Sequence, residues 1–471
     1  MGDLRDSAAM RVFPSTLAVV IALLGCSSGA VLVGPDPLDG ATPFDADLDT
    51  NSPSIDQTTV DQAPVDHPTI SGPLQVAQRD IEVTPVGSVR QPSVCFHPAS
   101  DAFVTAYTWV LPGATTPRFR VEARALVVGA GGSLAVSAPM QVDGDEPAHD
   151  AGDVEIAASG EPTGPALVVW VDDRAGPGRR GAIDVYGRFV RPTGGASPTI
   201  AGAGVVFDIS QRPDSDEALP AAAWDASVGA FLVAWADDRE RGVRDEDARV
   251  VYARFVSPDQ RIGPEQRLGD AMLFQTNPSV ASCGDGRFLV AWTDYRRDGA
   301  TLVSQARGLL LDARGGTGPG PIWLWGEAAG APQDLVAAQC APDRDGWWIA
   351  WGVGGPPSVR QLRVARLAPN GSLRTLFEPS VEPDGARAAR LAVVPATGQV
   401  VLTQLSQETS FGYAQVLAPG ATAFAPTTTL TPSAPRLGTF WSAIAASTGD
   451  ATAVAVMTLD YDRLRATTFA P

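Results

Sequence analysis

"FLVAWADDR" (231–239), "FLVAWTDYR" (288–296) and "ALVVWVDDR" (166–174) are three renderings of one phrase. A catalytic motif is needed once; a phrase that returns at a near-constant interval belongs to a repeated architecture. Each copy is a short apolar run ending in Trp, which reads as a buried strand. The Asp and Arg behind it read as the start of a loop.

Taking the last residue of each such strand as an anchor extends the series to Tyr107, Trp170, Trp235, Trp292, Trp351, Gln404 and Met457, spaced 53 to 65 residues apart. Each repeat has the same parts. A strand of small residues comes first ("PSVCF", "VEIAAS", "PAAAW", "PSVAS", "LVAAQ", "RLAVV", "SAIAAS"). A tight turn, the anchor strand and a longer loop follow. A third strand ("DVYGRFV", "VVYARFV", "RQLRVARL") and a fourth ("VVFDIS", "EQRLGD", "RTLFEP") complete the unit. Alternation and turn residues of this kind specify short antiparallel strands. Seven such units predict an all-β fold, a seven-bladed β-propeller of four-stranded antiparallel blades. The small first strands crowd the axis, and the large anchors fill the space between neighbouring blades.

The seventh repeat stops at "RLRATTFAP" (463–471) with three strands, whereas "RDIEVTPVG" (79–87) is a strand standing before the first repeat. The second is expected to complete the sheet of the first, which closes the ring and removes exposed edges. The propeller domain is therefore placed at 75–471.

The repeat resembles that of TolB-like (WD40-like) propellers of exported bacterial proteins, in which the anchor strand is followed by Ser/Asp-Asp-Arg and an "IY" strand. The matching positions are Asp172, Asp173 and Arg174 with Val185 and Tyr186; Asp237, Asp238 and Arg239 with Val251 and Tyr252; and Asp294 with Arg296. The family's "SPDG" turn is missing. The resemblance implies a propeller, often one that binds protein, and no particular partner. An Asp–Arg hydrogen bond that pins the loop is the ordinary role for these residues. They are equally the candidate binding-face residues, because the longest and most charged loops lie on the same side of the repeat. Asp143, Asp145, Glu146, Asp150, Asp214, Asp216 and Glu217 make that side acidic, with Arg179, Arg180, Arg212, Arg241 and Arg244 interspersed.

Residues 1–26 read as an export signal. The apolar run before Cys26 is short for a membrane span, and "LLGC" (23–26) resembles the bacterial lipoprotein signal, which implies lipidation at Cys26. Translation starts at Met1 or Met10. Residues 27–74, rich in Asp, Pro, Thr and Ser, cannot bury enough apolar surface to fold and read as an acidic tether. The composition, with Arg and no Lys and abundant Ala, Gly and Pro, suggests a GC-rich bacterial genome. The resemblance of Ser27 after the Cys to the lipoproteins of enteric bacteria implies an outer-membrane lipoprotein, periplasmic or surface-facing, in the cell envelope of a Gram-negative bacterium, held to the membrane through its N-terminal lipid.

A formal net charge of −18 excludes nucleic acid as a natural partner. No cofactor, metal or catalytic residue is assigned: His67, His97 and His149 lack ligand spacing, and there is neither a Cys-x-x-Cys pair nor a Gly-x-Ser-x-Gly elbow. Cys283 and Cys340 end the first strands of adjacent repeats, and both an inter-blade disulfide and buried free thiols are open for them; Cys95 is left single. The expectation is a monomeric, non-catalytic binding or scaffold protein for an unknown protein or glycan ligand. The alternative is a polysaccharide-active enzyme, a glycoside hydrolase or lyase, on the same scaffold.

Overall fold

The computed structural model describes residues 75–470 except 83–88, 112–117, 130–132, 145–149, 162, 175–182, 213–214, 241–247, 270–273, 299–300, 314–321, 330–335, 342, 354–360, 380–385, 407–411, 431–441, 448–452 and 460–462. Cys26, the export signal and the tether thus lie outside the described residues, as do Asp145, Glu146, His149, Arg179, Arg180, Asp214, Arg241 and Arg244.

The described residues form a β-propeller of four-stranded antiparallel sheets. Seven sheets follow one another along the chain. Their first strands are Val89–His97, Ala151–Ala158, Glu217–Asp225, Phe274–Ser282, Val336–Cys340, Ala386–Val394 and Ser442–Ala446. In the second sheet the order outward is Ala151–Ala158, Ala166–Asp172, Asp184–Thr193 and Thr199–Asp208. In the first sheet the outermost position is split between two short strands, Leu134–Val136 and Met140–Gln141.

Among the described residues, each hydrophobic cluster is shared by two sheets. Phe189 and Val169 of the second sheet bury against Phe231, Val233 and Trp235 of the third. Leu232 and Ala234 of the third bury against Phe288, Val290 and Trp292 of the fourth. Leu289 and Ala291 of the fourth meet Trp347 and Trp351 of the fifth. The first and last sheets share a core too, through Tyr107, Trp109 and Ala466. Alternation along each anchor strand explains this pattern, since successive side chains face opposite neighbours. Tyr107, Trp170, Trp235, Trp292 and Trp351 are all fully buried, as large inter-sheet wedges must be.

The N-terminal strand Gln75–Glu82 pairs antiparallel with Arg463–Ala470, in register from Gln75 opposite Ala470 to Glu82 opposite Arg463. It supplies the fourth strand of the last sheet. The expected strand at 79–87 is displaced: pairing starts four residues earlier, at Gln75, and residues 83–88 fall outside the described set. The partner strand runs to Ala470, so the register extends as far back as its length allows.

One repeated feature was not foreseen. Opposite Tyr107, Trp170, Trp235 and Trp292 the first strand carries an extra residue, and its register jumps between Arg90 and Ser93, Gly152 and Glu155, Ala218 and Ala221, and Thr276 and Ser279. At each bulge one residue lies in the left-handed region: Gln91 (φ 49°), Asp153 (φ 47°), Leu219 (φ 53°) and Asn277 (φ 49°). Such bulges re-aim side chains. The signal was present in "PSVCF", "PAAAW" and "PSVAS". Pro92, Pro220 and Pro278 sit within strands, where proline is confined to edges and bulges.

Candidate functional site

The first strands of all seven sheets line one cavity of about 500 Å³. Small residues such as Ala157, Ala222 and Ala338 leave the room, as their position at the crowded centre requires. Three of the four bulges place a polar residue, Gln91, Asp153 or Asn277, on its wall, and the bulge of the third sheet places Leu219 there.

Asp153 holds three sheets together there. Its backbone N–H donates to Gln91 Oε1 at 2.8 Å, Gln91 Nε2 donates back to Asp153 Oδ1, and the Leu219 N–H donates to Oδ2 at 3.2 Å. Burial nevertheless raises its pKa against these bonds. Two residues on, Glu155 accepts from Ser93 Oγ at 2.8 Å, and burial raises its pKa against the pull of Arg390. Arg390 enters from the sixth sheet. Burial lowers its pKa while the Glu155 charge opposes that shift. Cys95 lines the same cavity as a free thiol, pushed up by burial and then by the Glu155 charge.

The repeated Asp-Asp-Arg is spent on the chain itself. Asp172 accepts from Trp170 Nε1 at 3.0 Å, from the Arg174 N–H at 2.8 Å and from Arg174 Nη2 at 2.5 Å. The Arg174 guanidinium stacks 4.5 Å from the centre of the Tyr186 ring. Asp173 accepts from the Asp150 N–H at 2.6 Å, tying the loop to the strand that opens the sheet. The next repeat copies this. Asp237 accepts from the Arg239 N–H at 2.8 Å, Asp238 from the Asp216 N–H at 2.8 Å, and Arg239 lies 3.9 Å over Tyr252. In the fourth sheet the partner changes: Asp294 pairs with Arg307 at 2.7 Å. Arg296 is placed by its backbone, opposite Val303.

The expected acidic face is corrected at several positions. Asp143, Asp172, Glu217, Asp237, Asp238 and Asp294 are buried; Asp172, Glu217, Asp237 and Asp294 lie in strands that extend through residues the sequence suggested were loop, and Asp143 and Asp238 stand just beyond strand ends. Asp143 is salt-bridged to Arg120 at 2.7 Å. Asp237, fully buried, is therefore more than a surface pin. Asp237→Ala is expected to cost about 2–3 kcal/mol, as orphaning a buried partner does. Equilibrium urea unfolding measures it, and a loss no larger than that of an exposed Asp259→Ala control would contradict the assignment.

Between the second and third sheets Asp184, Glu217 and Asp237 are buried close together. Ser215 Oγ donates to Glu217 Oε1 at 2.8 Å. Burial, then the Asp237 charge, pushes Glu217 up to about 10. Burial, then the Asp208 charge, raises Asp184 to about 7. Both acids bind protons more tightly folded than unfolded. Their contribution to stability is therefore complete below the ordinary carboxylate range and is lost as pH rises through about 7 and then about 10. Glu217→Gln, neutral at every pH, should gain Tm relative to the parent as pH rises from 5 to 9. Parallel Tm–pH curves for the two proteins would refute the protonated state. No group of three or more potential ligands is placed to hold a metal among the described residues.

His97 is a pin between the first and second sheets, with Nε2 2.8 Å from the Gly164 carbonyl and Nδ1 2.9 Å from Ser100 Oγ. A disulfide joins Cys283 to Cys340, with Cα atoms 5.1 Å apart. It links the ends of the first strands of the fourth and fifth sheets.

No known protein family and no curated protein matches the sequence. Among solved structures the chain is similar to the Trypanosoma rangeli sialidase in complex with the inhibitor DANA (8% identity, TM-score 0.44, covering 83% of this chain and 59% of that one). It is also similar to a mutant of the NanB sialidase from Streptococcus pneumoniae (10% identity, TM-score 0.39, covering 69% and 66%). The chain thus spans about three fifths of the trypanosomal protein's length. At these scores the likeness carries no argument about fold, blade number, substrate or catalysis.

Proposed function

We propose that the seven sheets are the blades of one closed ring and that the ring is a non-catalytic binding module whose ligand, small and polar, enters the axial cavity. One observation carries this reading: every first strand contributes to a single cavity, lined by the charged groups Glu155 and Arg390, which form no ion pair with one another. Enclosed space with a few convergent polar groups is the usual form of a small-molecule site. Export and lipid anchoring at Cys26 belong to the same reading, as does the resemblance of the Asp-Asp-Arg repeats to TolB-like propellers. Incorporation of radiolabelled fatty acid, lost in Cys26→Ala, tests the anchor.

The second reading is a glycoside-active enzyme. What favours it within this chain is Asp153 and Glu155, two carboxylates on one strand of the cavity with pKa values raised by burial. Against it, both Asp153 oxygens are occupied by Gln91 and Leu219.

Residues 75–471 are to be screened by calorimetry against neutral oligosaccharides, sialosides and small charged metabolites, with product analysis for every glycoside. Binding without turnover is expected, and Gln339→Trp, which adds bulk at a partly buried residue of the cavity wall, should abolish it while the protein stays folded. Turnover lost in Glu155→Gln would establish the enzyme instead. Ligand binding unaffected by Gln339→Trp would remove the site from the cavity.

A further inference from the structure

The charges in the cavity narrow the ligand class. Arg390 donates Nη1 to the Ala389 carbonyl at 3.1 Å, and its other N–H groups have no protein partner among the described residues. Glu155 takes the Ser93 hydroxyl at 2.8 Å. The two charges act on one another through space, yet no ion pair joins them. A guanidinium and a carboxylate that share a cavity without touching leave a gap with a positive side and a negative side.

Resting on the binding reading above, we propose that the axial cavity takes a zwitterion of the amino-acid class, its carboxylate on Arg390 and its ammonium on Glu155. The alternatives each leave a charge unanswered. An anion on Arg390 would add a negative charge to a space that already holds Glu155 and Asp153. A cation on Glu155 would face Arg390. A neutral polyol can hydrogen-bond to both groups but neutralises neither, so both charges would stay without a counter-charge. Arg also offers a planar fork suited to a carboxylate. Gln91, Ser93, Asn277 and Ser279 supply further polar groups along the wall.

The test uses the full chain and a length series of free amino acids: glycine, β-alanine, γ-aminobutyrate and ε-aminohexanoate, together with the common L-α-amino acids. Binding is read by calorimetry. At least one zwitterion is expected to bind. Its N-acetyl derivative and its methyl ester, which each lack one charge, should bind at least 10-fold more weakly. Glu155→Gln should weaken the zwitterion at least 10-fold yet leave the N-acetyl derivative unchanged, and Arg390→Met should do the converse with the methyl ester. Retained Tm in each variant shows that the fold survives. Binding of a neutral sugar in the cavity with no zwitterion bound would overturn this proposal and leave the binding reading standing. If no probe of any class binds, both fall. A zwitterion whose affinity is indifferent to Glu155→Gln would overturn the charge assignment alone.

Discussion

Replacing Trp235 by Ala is expected to destabilise the propeller by about 3–5 kcal/mol, and Trp292→Ala by a similar amount, the range for large aromatic truncations in a core. Both indoles are fully buried, Trp235 between the second and third sheets and Trp292 between the third and fourth. Each fills an interface that belongs to two sheets, so neither neighbour can close the void alone. The conservative change separates packing from polarity. Trp235 Nε1 has no hydrogen-bond partner among the described residues, whereas Trp170 Nε1 donates to Asp172. Trp170→Phe should therefore cost more than Trp235→Phe, because it also removes a bond to a buried carboxylate. Urea unfolding of the four variants measures the differences; a Trp235→Ala loss below about 1 kcal/mol would contradict the packing assigned here.

The second large effect is expected from a short deletion. Removing residues 75–88 takes away the strand that completes the last sheet and exposes the edge of Arg463–Ala470. An exposed strand edge templates association, so this protein should aggregate or melt far below the parent. Removing 1–74, which includes nothing in any described sheet, should leave Tm within a degree or two of the full chain. Thermal unfolding with light scattering compares the two. Equal melting of both truncations would show that the N-terminal strand does not close the ring.

The fold was legible because it repeats. Seven first strands, read from small residues alone, are the seven that line the cavity, and the anchors lie where large side chains must go. The loop reading of Asp172, Asp237 and Asp294 failed for a physical reason. Charged residues at a strand end look solvated until their partners are known, and here Trp170, Arg174, Arg239 and Arg307 bury them. The cavity was not legible in the same way. Glu155 and Arg390 stand in the first strands of different repeats, "VEIAAS" and "RLAVV", and nothing in either strand says that the second and sixth sheets bring them to one cavity. The prolines at 92, 220 and 278 were the one local sign that the first strands bend there.

The pairing of Gln75–Glu82 with Arg463–Ala470 also has a mechanical meaning. The chain enters this strand at Gln75, beside Ala470, while both strands continue into the domain from the far end, at Glu82 and Arg463. A pull applied along the strand at residue 75 is thus resisted by all eight residue pairs at once, in shear, rather than by one pair after another. Bonds loaded in parallel share the force; bonds loaded in series break singly. A domain pulled along this strand from its N-terminal side therefore meets tension across the whole pairing at once, and the strand that completes the last sheet is also the one that bears the load.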